Sequence, residues 1–289
     1  MTAERVFVQI RLSPWVGSVT DIKWRTGPKG NSSQQGEPMD ILPHAVNRFN
    51  GIEINTGDLP TETELFEQGL TSSLVKWVQD GRFLVWLHLP IERAALIPVS
   101  TAAGFVFHHT EPNYVLLVRK LQDDALVPGY ATHYIGAGGV AINDRQELLV
   151  VSERHRGSSR AYYKLPGGAL HPGEHLADAV VREVLEETGI ETRFESVVCW
   201  RHWHGYRYGK SDIYFICRLS PLTDAIERDD WEIDECLWMP VDEYLQHEQV
   251  GDFNRAIVEA AINTPGLKNS WMDGYDDPTM REFYWPDDR

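Results

Sequence analysis

Three closely spaced acidic residues, Glu183, Glu186 and Glu187, are the strongest chemical feature of this 289-residue sequence. If the segment is helical, their spacing places them within about a third of a turn of one another on one side. Like charges at this spacing repel each other, so the cluster gives an ordinary helix no stability. A divalent cation would remove the repulsion, because Mg2+ takes carboxylate oxygens together with substrate phosphates.

A helix and a glycine turn ahead of it must position this cluster. From about His175 onward the residues favour a helix, and Gly189 stands where a left-handed cap would end it. Gly167 and Gly168 predict a tight loop that brings Glu174 near the cluster. The glutamates are expected on the side opposite the core. The predicted core side consists of Ala177, Val181, Val184, Leu185 and Thr188.

A solvated acidic helix face is the alternative explanation, and for an isolated pair of glutamates it is the better one. Here a longer pattern is present: Gly, five residues, Glu, seven residues, Arg-Glu, aliphatic, any residue, Glu-Glu, any residue, Gly, aliphatic. It occupies the 23 residues from Gly168 to Ile190. This stretch resembles the Nudix box at every defined position. The resemblance implies a metal-dependent hydrolase of nucleoside diphosphates linked to another group.

The chemistry of pyrophosphate hydrolysis agrees with this family. It requires neutralised charge on the phosphoryl oxygens and an activated water, and metal ions supply both. We therefore assign Glu174, Glu183, Glu186 and Glu187 as ligands of Mg2+ or Mn2+. We expect Arg182 to assist catalysis by orienting a glutamate through a bidentate bond.

The general base has two candidates. Glu186 lies on the predicted helix, and Glu232 lies in a loop ahead of a late strand, from which members of the family often supply the base. Asp234 and Glu235 compete with Glu232 for this role. Solvated loop charge is the alternative for all three loop residues.

Basic residues gather after the box, between Arg201 and Lys210. We predict that Arg201, His204 and Lys210 bind the substrate, together with Gly167 and Gly168 of the glycine turn. A solvated turn at the end of a strand explains the basic group equally well.

The resemblance is strongest to one branch of the family, carried by RHWH, GKSDIYFICRL and the upstream GFVFHH and VPGYATH. That branch includes plant Nudix hydrolases of ADP-ribose and NADH, and a vertebrate Nudix protein encoded antisense to a fibroblast growth factor. It implies conversion of ADP-ribose or NADH to AMP and a phosphorylated product, by a homodimer. The choice of substrate stays open, because Gly205-Tyr206 stands where many ADP-ribose hydrolases have a proline. A catalytically weak nucleotide sensor or interaction module is the alternative function.

The periodicity of the chain predicts an α+β protein, and the resemblance adds a Nudix α/β/α sandwich with a mixed sheet. The branch also implies a small α+β domain ahead of it, similar to part of an acetyltransferase. Residues 133–142 and 147–152 are predicted to form a hairpin. The proposed divisions are a partly flexible extension (1–48), the α+β domain (49–125), the Nudix domain (126–262) and a C-terminal tail (263–289).

Composition narrows the possible partners and the compartment. A net charge of −16 disfavours sequence-independent nucleic-acid binding and adhesion to acidic membranes. No apolar run approaches the ~20 residues needed to cross a membrane, and the N-terminus lacks the pattern of a signal peptide. Three cysteines without a CxxC spacing favour reduced core thiols. We therefore expect a cytoplasmic protein that acts on a small nucleotide.

Overall fold

The computed structural model describes residues 41–154, 162–270, 274 and 277–286. It divides the chain into two compact units, residues 1–130 and 131–289. The part of the predicted extension up to residue 40 lies outside the described residues. Among the described residues, no helix combines the length and the apolar character needed to cross a membrane.

The first unit is a five-stranded sheet that packs against one long helix. Its strands and helices are β1 (His44–Val46), β2 (Ile52–Ile54), α1 (Thr63–Gln79), β3 (Leu84–Pro90), α2 (Ile97–Ala102), β4 (Val106–Glu111) and β5 (Tyr114–Lys120). The strand order is β1-β2-β3-β5-β4, and the β2–β3 pair is parallel. Helix α1 buries Phe66, Leu70 and Trp77, which recur at helical spacing. These side chains share one core with the strands, so the predicted α+β character of this region is confirmed. The proposed likeness to an acetyltransferase stays a prediction.

The second unit places helices on both faces of its strands. Its elements are β6 (His133–Ala141), β7 (Glu147–Glu153), β8 (Gly167–Ala169), α3 (Leu176–Thr188), β9 (Thr192–Trp203), β10 (Ser211–Pro221), β11 (Ile233–Pro240), α4 (Val241–Gln246), α5 (Asp252–Asn263), β12 (Lys268–Asn269) and β13 (Tyr284–Trp285). A mixed sheet has the order β8-β6-β10-β9, with β6 and β10 parallel. Ala137 and Ala141 of β6 face the core with α3, whereas Val140 faces the core with α4 and α5. The predicted α/β/α sandwich is confirmed.

The predicted hairpin over residues 133–142 and 147–152 is wrong. Strand β6 lies between β8 and β10, whereas β7 pairs with β11 in a separate two-stranded sheet. A single bridge between Ile142 and Leu148 joins the two strands at their connection. Alternating apolar residues predict that a segment is extended, but they carry little information about its partner.

Helix α3 begins and ends close to the predicted positions, but its core side differs. Gly189 has φ 72°, which confirms the left-handed cap. Leu185 is 44% exposed, and Glu187, predicted on the solvent side, is buried. The prediction was wrong because the side of the helix that faces the core begins at Leu176 and Val180, and at helical spacing it continues through Val184 to Glu187. The buried face consists of Leu176, Ala179, Val180, Val184, Glu187 and Thr188.

The described part of the C-terminal tail packs on its own unit. Strand β13 pairs with β12, and Leu267 just ahead of β12 forms a bridge to Val197 of β9. The ring of Tyr284 joins the core on the α3 side. The tail therefore belongs to the layer that holds α3.

We expect Gly189→Ala to destabilise the second unit. A Cβ at this position would lie 2.7–2.9 Å from atoms of Glu227, two of them backbone atoms, and φ is positive. Conformational strain alone costs about 1–2 kcal/mol, so we expect a greater total loss in the free energy of unfolding, measured by urea titration. Gly205→Ala is the matched control, because its φ is 73° and no atom lies within 4 Å of its Cβ. Equal losses of unfolding free energy in both variants would show that the contact with Glu227 does not contribute to the effect.

Candidate active site

One guanidinium holds three of the four predicted metal ligands. Arg182 forms a bidentate pair with Glu174, with Nε 2.7 Å from Oε1 and Nη2 3.0 Å from Oε2. Its Nη1 donates to Glu183 and to Glu186, each at 2.9 Å. Its Nη2 also lies 3.3 Å from the carbonyl oxygen of Ala169. The structure therefore brings Glu174, from the loop ahead of α3, to the glutamates on the helix.

The carboxyl of Glu174 has a strongly lowered pKa. Its pKa is about 2 because the guanidinium of Arg182, and to a smaller extent the backbone N–H of His171, donate hydrogen bonds to the carboxylate. Glu186 has a different environment from Glu174, because its side chain is 60% exposed to solvent. The cluster thus combines one fixed carboxylate with one that faces solvent.

Glu187 is buried beneath this cluster. Its Oε2 accepts a hydrogen bond from the N–H of Gly167 at 2.9 Å, and its Oε1 lies 3.9 Å from Nζ of Lys164. Burial raises the pKa of Glu187 to about 7, although Lys164 and Gly167 act in the opposite direction. Lys164 lies 2.5 Å from Glu153 as well, and these two carboxylates raise its pKa against the effect of burial. The burial of Glu187 therefore depends on Lys164 and on the N–H of Gly167.

The predicted tight loop at Gly167 and Gly168 is wrong, because both glycines lie in strand β8, which pairs with β6. These two glycines allow carboxylates to approach the backbone. A Cβ on Gly168 would lie 2.4 Å from Oε2 of Glu183. At Gly167, where φ is 148°, a Cβ would lie 2.2 Å from the carbonyl oxygen of Ala137. Both positions require glycine because a side chain would occupy the space of neighbouring atoms. The predicted role of these glycines in substrate binding stays a prediction.

The structure separates the candidates for a loop-derived base. Glu232 directly precedes β11, and its carboxylate is close enough to Glu187 to raise the pKa of that buried carboxyl. Glu235 instead accepts a hydrogen bond from the hydroxyl of Tyr163 at 2.7 Å. Glu235 and Asp234 lie within β11. The charge of Glu232 therefore reaches the buried Glu187.

Arg201 lies among aromatic rings on the α5 side of the sheet. Its Nη2 donates to Oδ2 of buried Asp212 at 2.6 Å. The guanidinium carbon lies 5.2 Å from the ring centre of Trp203 and 5.5 Å from those of Tyr214 and Phe253. Its Nε is buried and has no hydrogen-bond partner among the described residues. The ion pair with Asp212 and the surrounding rings therefore hold the guanidinium of Arg201 in place.

Among the described residues, neither His204 nor Lys210 contacts Arg201. His204 is exposed, with Nδ1 2.9 Å from the hydroxyl of Ser211. Lys210 donates to the carbonyl oxygen of Ala131 at 2.5 Å. Both lie at the end of the β9–β10 hairpin. The basic residues predicted to act together therefore occupy two separate positions.

Sequence reasoning missed Tyr214, which lies between the two groups of charges. Cβ atoms on Gly138 and Gly167 would lie 2.8 and 2.9 Å from its phenol oxygen. Burial raises the pKa of Tyr214, Glu187 adds to that effect, and Arg201 opposes it. The alternating glycines of HYIGAGG are the signal in the sequence, because they leave space for a large ring from a neighbouring strand. Lys164 was also missed, although it lies only three residues before Gly167.

The chemistry of the donors fits a divalent cation. Carboxylate oxygens are the ligands that Mg2+ and Mn2+ prefer, and four glutamates supply them here. Within the described residues, no three His, Cys, Asp or Glu side chains are already grouped as metal ligands. Three of the four carboxylates instead turn toward Arg182, whose charge offsets their repulsion. A cation would compete with Arg182 for Glu183 and Glu186.

The cysteines do not contribute a nucleophile to this site. Cys217 is buried, Cys199 and Cys236 are half-buried, and none of the three forms a disulfide. Burial raises the pKa of all three thiols, to about 12 for Cys236. A thiol with a raised pKa is a poor nucleophile at neutral pH. The arrangement therefore favours hydrolysis supported by carboxylates over covalent catalysis by a thiolate.

Comparisons with known proteins agree with the geometry. The NUDIX domain model matches residues 132–261, and a model described as a Nudix hydrolase domain matches residues 42–121. The chain is 37% identical to Nudix hydrolase 8 of Arabidopsis thaliana over 75% of its length, and this match spans 60% of the relative. It is 34% identical to Nudix hydrolase 2 of the same plant, over 77% of this chain and 81% of the relative.

A human protein is similar as well. The chain is 33% identical to nucleoside diphosphate-linked moiety X motif 6 of Homo sapiens, over 80% of this chain and 75% of the relative. The matches therefore extend across both units. The predicted family and the predicted enzyme class are confirmed. The chain belongs to the Nudix hydrolase family and is a pyrophosphohydrolase.

Proposed function

We propose that this protein hydrolyses the pyrophosphate bond of ADP-ribose or NADH and releases AMP and a second phosphorylated product. The observation that carries the proposal is the cluster of Glu174, Glu183 and Glu186 around Arg182, with Glu187 buried beneath it. ADP-ribose and NADH are chosen because the resemblance is strongest to a branch that acts on them. Cytoplasmic location and a homodimer are part of the same proposal.

Nudix hydrolases generally use divalent metal ions, and we propose Mg2+ or Mn2+ here. Glu183, Glu186, Glu187 and Glu174 would hold the ion. When bound, such an ion neutralises charge on phosphoryl oxygens and lowers the pKa of the attacking water. Arg182 keeps Glu174 and the helix glutamates close together, and the ion would replace its bonds to Glu183 and Glu186.

The remaining residues have separate roles in the proposed reaction. Oxygen of water bonds to one phosphorus, the bridging P–O bond breaks, and a proton from water passes to a carboxylate. We propose Glu232 as that base, with Glu186 as the alternative, because Glu232 lies in the electrostatic range of Glu187 and directly precedes β11. Each product then carries a terminal phosphate.

The α5 side of the sheet suits the distal part of the substrate. The side chain of Arg201 is partly exposed there, beside the exposed ring of Trp203. A guanidinium recognises phosphate oxygens, and an exposed indole stacks on flat rings. We propose that this side binds the diphosphate and one of its attached groups. His204 and Lys210, at the hairpin end, would contact only a substrate that extends that far.

We expect Glu186→Gln to lower kcat for ADP-ribose by at least about 100-fold, because it removes a proposed ligand and a candidate base. The side chain is 60% exposed and bonds only to Arg182 among the described residues, so the fold should persist. Steady-state kinetics with Mn2+, combined with thermal melting, measures both effects. Glu259→Gln on α5 is the control, because this exposed glutamate lies outside the cluster. Full activity in Glu186→Gln would refute the proposed metal site.

We expect Gly168→Ala to lower kcat/KM by about tenfold or more. The added Cβ would displace the carboxylate of Glu183, whose Oε2 would lie 2.4 Å away, and small shifts of positioned groups have effects of this size. Gly129→Ala is the control, because no atom lies within 4 Å of its Cβ. Kinetics at several Mn2+ concentrations should show a higher requirement for the ion in Gly168→Ala. Unchanged kinetics would mean that the close approach of the Glu183 carboxylate to Gly168 has no role in activity.

A further inference from the structure

The first turn of α3 is capped by a residue more than a hundred positions later in the chain. The N-cap residue of the helix, His175, makes no side-chain capping bond. Instead, the N–H of Leu176 donates to Oε1 of Glu282 at 2.7 Å. A carboxylate at this position satisfies an otherwise unpaired N–H and interacts favourably with the helix dipole.

The tail makes a second contact at the same junction. Nε2 of His175 donates to the carbonyl oxygen of Pro278 at 2.7 Å. Nδ1 of His175 lies 4.0 Å from Oε2 of Glu282. The side chains of His175 and Glu282 are 25% and 21% exposed. Two consecutive residues at the start of α3 are therefore held by the tail.

Glu282 is itself held by packed structure. Its Oε2 accepts a hydrogen bond from the hydroxyl of Tyr284 at 2.6 Å. Tyr284 lies in β13, which pairs with β12, and its ring centre lies 5.7 Å from that of Phe194. Burial and the bond to Glu282 raise the pKa of Tyr284, so the phenol stays protonated and keeps donating. The capping carboxylate therefore has a defined position.

This junction lies next to the glutamate cluster. Glu174 directly precedes His175, and its carboxylate forms the bidentate pair with Arg182. Arg182 in turn bonds to Glu183 and Glu186 on the helix. A shift of the His175–Leu176 junction would therefore move Glu174 relative to the helix.

We propose that Glu282 is a positioning residue for the glutamate cluster, acting through its bond to Leu176. The tail holds the start of α3, the start of α3 holds Glu174, and Glu174 holds Arg182 against the helix glutamates. The proposal deepens the proposed function and rests on it, because the cluster is taken as the site of the divalent cation. Glu282 itself touches neither substrate nor metal.

The experiment compares Glu282→Ala, Glu282→Gln and a control, Glu259→Ala, in the full chain. Glu259→Ala removes the same charge from an exposed position on α5. Hydrogen exchange of the metal-free proteins is measured for the peptide over residues 174–180, and Mn2+ affinity is measured by calorimetry. Glu282→Ala should exchange about 3- to 10-fold faster in that peptide and should bind Mn2+ about 3-fold or more weakly. Glu282→Gln keeps an acceptor, so both effects should be smaller, and Glu259→Ala should show neither.

Two results would overturn the proposal: unchanged exchange in Glu282→Ala, or faster exchange with unchanged Mn2+ affinity. The second result would mean that Glu282 only stabilises the helix end. A wild-type protein that binds Mn2+ but hydrolyses no nucleoside diphosphate derivative would contradict the proposed function, and the comparison of variants would still decide the role of Glu282. A wild-type protein that binds no Mn2+ would contradict both.

Discussion

The guanidinium of Arg182 holds together carboxylates that would otherwise repel one another. It forms ion pairs with Glu174, Glu183 and Glu186 at 2.7–2.9 Å. Three negative charges face one positive charge, so the group keeps a strong attraction for a further cation. The rest of the second unit is arranged around this interaction. The helix presents two of the glutamates, the preceding loop supplies the third, and the C-terminal tail holds the junction between loop and helix.

Beneath this group, the site is completed by the buried carboxylate of Glu187 and by the close approach of Glu183 to the backbone. Glu187 enters the interior because Lys164 and the N–H of Gly167 accompany it, and this burial places its pKa near 7. Gly168 allows the carboxylate of Glu183 to lie against the backbone. The two glycines of β8 thus contribute space and an N–H, while the carboxylates come from α3 and from the loop ahead of it.

Local features of the fold were predictable from the sequence, and relations between distant segments were not. The helix α3 and its cap at Gly189 follow from periodicity and from glycine chemistry. The separation of β6 from β7 does not follow, because alternation leaves the partner of a strand undefined. The glutamates of the box were found by spacing. The cap from Glu282 and the ring of Tyr214 were missed, because each reaches the site from a distant part of the chain, and the glycines that make room for Tyr214 lie on other strands.

Chromatographic analysis of the products formed from ADP-ribose tests the central claim most directly. The wild-type protein is incubated with ADP-ribose and Mg2+ or Mn2+, and parallel samples contain a chelator instead of the ion. Our account predicts AMP and ribose 5-phosphate in equal amounts when either ion is present, and neither product with the chelator. Binding of ADP-ribose by calorimetry, without any phosphorylated product under either ion, would contradict the account and would favour a nucleotide sensor.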